Sequence, residues 1–335
     1  MSTTPLLQVR QLSKHYAQRR SIFGMRSGAA AGVIPAVDCV SFDLRENETL
    51  GLVGESGCGK TTTGKAILKL MPVTQGEILY RGTDIVRLSS AAFRPLRREI
   101  QMIFQDLDAA LNPKMRINSI LSEAVRLRDP ELDAAAVQQR VFELLDHVNL
   151  KKNKLANFPA ELSGGEKRRV GIARVLAMRP RLVIADEPTS ALDVSIQAQV
   201  INLLRDLQSR FGLSFLFISH DLELVELVSH RIAVMYLGRI VELGAARDVA
   251  RAPAHPYTKL LWSSLVEKRS HEAGITEQAG LADFDFERPH SGCRFAPRCP
   301  MYRERGRPPE CTDPNRTPEL KPIDDGRLVA CHFAA

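Results

Sequence analysis

Residues 49–61, TLGLVGESGCGKT, constrain this chain more than any other stretch. The short run TLGLVG has no polar face and reads as a strand buried on both sides. It runs into GESGCGKT, which satisfies the phosphate-binding loop pattern G-x-x-x-x-G-K-[ST], and then into the helical pattern KTTTGKAILKL. Strand, glycine loop and helix are the context that pattern requires. Gly54, Gly57 and Gly59 let backbone amides approach phosphate oxygens. Lys60 brings a point charge to the outer phosphates, and the Thr61 hydroxyl suits magnesium. Glu55, Ser56, Cys58 and Thr62 complete the expected nucleotide contacts. Cys58 is either a small residue that fits or, beside Lys60 at a helix N-terminus, a thiol of lowered pKa.

The same texture recurs along the chain. RLVIADE (181–187) and SFLFISH (214–220) are apolar runs of strand length. In SIQAQVINLLRDLQSRF, Ile196, Val200, Leu203, Leu204 and Leu207 share one helical face. This alternation predicts an α/β fold with a mainly parallel sheet. Further strands are expected at 6–17, in AVDCVSFDL and in GEILYRGTDI, with a loop insertion at 18–35. IAVMYLGRIVELG (232–244) predicts a hairpin turning at Leu237-Gly238. Residues 112–165 are helical and read as a subdomain inserted between two core strands.

No run of about 18 apolar residues offers a membrane span, and the first residues lack a charged segment leading into an apolar one. The chain is therefore expected in the cytosol. Its net charge of +7 favours anionic partners such as nucleotides, nucleic acid or an anionic membrane face.

RLVIADEP places Asp186 and Glu187 at the carboxyl end of a strand, where α/β sheets bind ligands. Asp186 would hold magnesium, and Glu187 would polarise the attacking water as general base. LSGGEKRRVGIARVLAMRP (162–180) then sets Ser163, Gly164 and Gly165 at the start of a clear helix, a second anion site with bare amides, a hydroxyl and a helix dipole. One nucleotide does not need two such helices from one chain.

That stretch resembles the signature motif of ABC ATPases, with Glu166 where the commonest pattern has Gln. The resemblance covers about residues 6–265 and implies further roles. Gln105 in MIFQD resembles the glutamine that touches magnesium and couples nucleotide to the membrane partner. Asp193 in SALD resembles a dimer-interface residue, and His220 in FISHD the histidine that contacts the γ-phosphate. Tyr16 resembles the aromatic residue that stacks on adenine. The implied fold is a RecA-like core with a parallel sheet, an antiparallel β subdomain, a helical subdomain at about 106–165 and a small cysteine-rich extension after residue 267.

About a hundred residues without sustained heptads separate Lys60 from Ser163, and only one phosphate loop is present. Those features favour a transporter subunit over the DNA-repair or translation types. DAALNPKMRI, ADEPTSALDVSIQAQVINLL, HPYTKLL and the cysteine tail resemble ATP-binding subunits of bacterial oligopeptide, dipeptide and nickel importers, most of all the F-type ATPase. The resemblance implies a related ATPase as dimer partner (a homodimer being the alternative), two permeases and a periplasmic solute-binding protein, with this chain at the cytoplasmic face of the inner membrane. Peptide is the expected solute; nickel or another small solute is the alternative, and the rival class is a soluble ABC-type regulatory or nucleic-acid ATPase that never meets a permease.

Cys293, Cys299, Cys311 and Cys331 sit in a proline- and arginine-rich tail. With few periodic apolar residues it is expected to lack a core of its own and to need a staple. In the cytosol clustered thiols favour a metal over disulfides. The spacing has no C-x-x-C pair and does not choose the metal. The family resemblance implies a [4Fe–4S] cluster, which the six arginines between Arg288 and Arg307 would suit. Zinc is the alternative, with His290 and His332 as backup ligands.

Overall fold

The computed structural model describes residues 5–17, 33–272, 292–324 and 326–334. They fall into two compact units that interleave along the chain. One comprises Met1–Leu7, Leu44–Thr49 and Tyr80–Ser219; the other Gln8–Asp43, Leu50–Leu79 and His220–Ala335. No helix among the described residues is long and apolar enough to cross a membrane.

In the first unit the strands Ile100–Ile103, Leu182–Asp186 and Ser214–Ser219 run parallel, with Leu182–Asp186 in the middle. Ile184 faces Met102 on one side and Leu216 on the other. Every residue of Leu182–Asp186 and Ser214–Ser219 is buried, which is why neither stretch alternates in polarity. The helical texture falls between the first two of these strands. Ile117–Arg128 buries Ile117, Ile120, Leu121, Ala124 and Val125, while Ala134–His147 buries Val137, Val141, Leu144 and Leu145. Those faces pack on each other and on the helix Gly164–Ala177. Asp133, Ser163 and Asp193 cap their helices by accepting backbone amides, each contributing about 1 kcal/mol. The helix Val194–Phe211 ends on Gly212, whose φ of 63° an L side chain resists.

In the second unit Thr49–Val53 runs parallel to Arg231–Tyr236, which turns back antiparallel into Arg239–Ala245. The two-residue turn holds Leu237 at φ 42° and Gly238 at φ 85°, the hand that matches strand twist. A separate sheet sets Val33–Leu44, Leu7–Ala17 and Gln75–Tyr80 side by side. The first of these strands takes up residues 33–35, expected as loop; residues 18–32 lie outside those described.

The tail builds no core of its own and borrows one. Arg327–Val329 adds antiparallel to Arg239–Ala245, and Lys321–Asp324 adds beyond it. Phe295, 1% exposed, packs its ring 5.3 Å from that of Tyr236 and 5.4 Å from that of Tyr257. Strand addition and one aromatic anchor leave no helical periodicity to read.

Candidate nucleotide site and cysteine segment

The second unit carries the phosphate loop. A Cβ on Gly54 would lie 2.1 Å from the Met235 carbonyl oxygen, and one on Gly59 2.2 Å from that of Ala36. Both glycines also have positive φ, 152° and 109°, so no other residue fits. The helix Lys60–Ile67 starts directly from this turn. Lys60, 6% exposed, donates from Nζ to the carbonyls of Gly54 at 2.7 Å and Glu55 at 2.9 Å. The ammonium thus lies inside the loop's curve, where a phosphate charge is expected. Ser56 and Gly57 are exposed, while Thr61 and Thr62 are half-buried.

Cys58 departs from the reactive reading. Its thiol is 2% exposed, and burial pushes its pKa up despite the Lys60 ammonium 3.7 Å away. Tyr16 keeps 41% of its surface exposed; its hydroxyl donates to Met71 Sδ, and Lys14 Nζ lies 5.0 Å from the ring centre. His220 is exposed at the residue after the strand Ser214–Ser219.

The first unit holds the carboxylates. Asp186, 2% exposed, ends the strand Leu182–Asp186. Glu187 follows with φ 44°, a left-handed conformation that costs about 1–2 kcal/mol for a non-glycine residue. Its amide donates to the Ile218 carbonyl at 2.8 Å, which fixes the turn. Gln105 Nε2 donates to Glu187 Oε2 at 2.9 Å, so two of the expected catalytic residues meet.

Two of the amides at Ser163–Glu166 are not bare. Ser163 Oγ accepts from the Glu166 amide at 3.3 Å, and Glu166 Oε2 accepts from the Ser163 amide at 3.0 Å. This capping box already satisfies two donors, and Lys154, 2.9 Å from Glu166 Oε1, balances the added charge. Gly164 and Gly165 are needed for packing: a Cβ on Gly165 would meet Ile196 Cγ2 at 2.8 Å. Asp193 is a helix cap, accepting from the Ile196 amide at 3.0 Å and Ser195 Oγ at 2.8 Å.

A family described as ABC transporter matches residues 37–190, and one described as oligopeptide/dipeptide transporter, C-terminal region, matches 241–305. A putative peptide import ATP-binding protein of Brucella ovis is 42% identical over 332 residues, spanning 99% of this chain and 98% of that protein. The chain belongs to the ABC transporter ATP-binding proteins. The oligopeptide transport ATP-binding protein AppF of Bacillus subtilis is similar to the same degree, 42% over 331 residues, covering 98% of this chain and 97% of AppF. A dimeric ATP-binding cassette in a post-hydrolysis state bound to ADP and Pi superposes with a TM-score of 0.63 at 25% identity, covering 72% of this chain and 99% of that one. This ABC protein is accordingly an ATP-hydrolysing transporter subunit with an α/β cassette fold.

Sequence reasoning missed Arg168. At 3% exposure its guanidinium donates to the carbonyls of Phe104 at 2.9 Å and of Gln105 and Ser190 at 3.4 Å. It ties the segments carrying Gln105 and SALD to the helix that follows Ser163. An arginine in phase with the buried Ile172 and Val175 was the available signal. Tyr257 and His255, in HPYTKLL, were read only as a family mark. Tyr257 Oη accepts the Glu55 amide at 3.1 Å. His255 Nδ1 accepts the Tyr257 amide at 3.0 Å, and the ring hydrogen-bonds the Ala330 backbone.

The four tail thiols of this ABC subunit are free and lie close together: in each of the six pairings one thiol's charge acts on the other. Burial first, then these neighbours, push Cys293 and Cys311 up to about 11. Yet among the described residues no three side chains of His, Cys, Asp or Glu are placed to hold a metal ion. Two of the six arginines serve carboxylates rather than thiols: Arg294 binds Asp38, and Arg298 binds Glu55. His290 lies outside the described residues.

Proposed function

We propose that this subunit powers the import of peptides, paired with a related ATPase on two permeases at the cytoplasmic face of the inner membrane and fed by a periplasmic solute-binding protein. What supports the reading is that its Brucella ovis and Bacillus subtilis relatives are described as a peptide import and an oligopeptide transport ATP-binding protein, together with the C-terminal match at 241–305. ATP enters the loop Gly54–Thr62, with Lys60 turned from loop carbonyls to the outer phosphates. Thr61, Asp186 and Gln105 would hold Mg2+, which would supply neutralisation of the phosphate charge. Tyr16 stacks on adenine, Glu187 takes a proton from the attacking water, and His220 contacts the γ-phosphate. The hydrogen bond from Gln105 to Glu187 supports this assignment, because it orients the carboxylate that would act as base. Ser163, Gly164, Gly165 and Asp193 face the nucleotide of the partner ATPase.

The tail thiols fit a four-cysteine centre in donor type. Cys293, Cys299, Cys311 and Cys331 would hold a [4Fe–4S] cluster, or zinc, that orders the tail. Reconstitution with the neighbouring permeases in liposomes tests the whole reading. ATP hydrolysis stimulated by peptide-loaded binding protein is the expected result; stimulation by nickel alone would replace peptide as the cargo.

A further inference from the structure

The cysteine segment reaches the nucleotide site through one side chain. Arg298 grips the Glu55 carboxylate with both terminal nitrogens, at 3.0 and 2.9 Å, across 243 residues of sequence. Glu55 is the second residue of the phosphate loop, and its amide and carbonyl are engaged as well, by Tyr257 and Lys60. The guanidinium is also seated: it lies 5.7 Å from the ring centre of Tyr236 and 6.0 Å from that of Phe295. Both partners of the pair are mostly covered, 15% and 25% exposed at the side chain. A forked, partly desolvated pair of this kind is stronger than an open surface pair.

The charge logic is specific. A carboxylate inside a phosphate loop repels the polyphosphate it is meant to cradle. Here that charge is cancelled by an arginine supplied from the tail, between Cys293 and Cys299, and held by the same aromatic cluster that anchors the tail. We propose that Arg298 is a positioning residue of the nucleotide site: it holds and neutralises Glu55, so that docking of the C-terminal segment sets the loop's affinity for ATP. This rests on the reading of Gly54–Thr61 as the ATP site. It makes the tail a determinant of nucleotide binding as well as a structural appendage.

Calorimetric titration of the purified full-length chain with Mg-ATP tests it, with Lys60→Ala as control. If Lys60→Ala binds like wild type, the reading of the loop itself fails. With that control behaving, Arg298→Ala is expected to raise Kd about fivefold or more at low salt, with the gap narrowing as ionic strength rises. Adding Glu55→Gln to Arg298→Ala should restore affinity to within about twofold of Glu55→Gln alone, because no charge is left to cancel. Arg298→Gln keeps part of the stem over the aromatic rings and replaces the alanine variant should that one unfold. Wild-type affinity in the arginine variants overturns the proposal. So does a double variant that stays as weak as Arg298→Ala, which would make the arginine an element of tail folding only.

Discussion

Gln105 Nε2 lies 2.9 Å from Glu187 Oε2 and donates to it. The two residues are 82 positions apart. Their strands, Ile100–Ile103 and Leu182–Asp186, are parallel neighbours in register, so both side chains leave the sheet at the same end. The bond fixes a carboxylate whose backbone is already held in a left-handed turn. Orientation of the Glu187 carboxylate is therefore built into this unit.

Glu187→Gln keeps an oxygen for Gln105 and removes the proton acceptor. In the assembled transporter it should bind ATP and hydrolyse it at least about a hundredfold more slowly. Phosphate release under saturating ATP measures this; turnover near that of wild type would remove Glu187 from the role of base.

Arg168→Ala deletes the donors to three backbone carbonyls and opens a buried gap. The expected loss is about 2–4 kcal/mol, seen as a fall in Tm on the order of 5–10 °C, with slower ATP turnover because the Gln105 and SALD segments lose their tether. An unchanged Tm would show that water replaces the guanidinium without cost.

Cys58 should resist thiol reagents in the folded chain, because burial keeps it protonated. Mass spectrometry after brief alkylation should find Cys39, which is exposed, modified first, with ATP binding intact. Fast modification of Cys58 that ATP prevents would contradict this.

Acid should loosen the tail. His255 is fully buried, and burial lowers its pKa from 6.5 to about 3. Above pH 6.5 it is neutral folded or unfolded and contributes no pH dependence. Between 6.5 and about 3 only the unfolded chain takes the proton, so stability falls with pH by up to about 1.4 kcal/mol per unit. Asp38 acts in the same direction at lower pH. Burial raises its pKa, but the Arg294 and Arg239 guanidiniums prevail and hold it below 3.8, so its contribution is present above that value and is lost as pH falls through the folded pKa. Proteolysis of the tail should accelerate below pH 6.5, and His255→Asn should flatten that dependence. A profile flat from pH 7 to 4.5 would be incompatible with a buried neutral histidine.

Protein purified without oxygen should be brown, with about four irons per chain. One zinc in a colourless preparation would replace the cluster, and no metal at all would leave Phe295 and the added strands as the whole anchor of the tail.

The sequence by itself determined the phosphate loop, the buried parallel strands, the Leu237-Gly238 turn and the helical stretch between two core strands. These are local signals. Glycine spacing, apolar run length and helical phase are properties of consecutive residues, and each follows from backbone sterics or burial of one element. Tertiary structure alone decided what those elements do to one another. It placed Gln105 on Glu187, made Arg168 a buried tether and raised rather than lowered the Cys58 pKa. It also joined the tail to the loop through Arg298 and Glu55. Burial and long-range pairing depend on which distant residues share a neighbourhood, and no spacing rule along the chain carries that information.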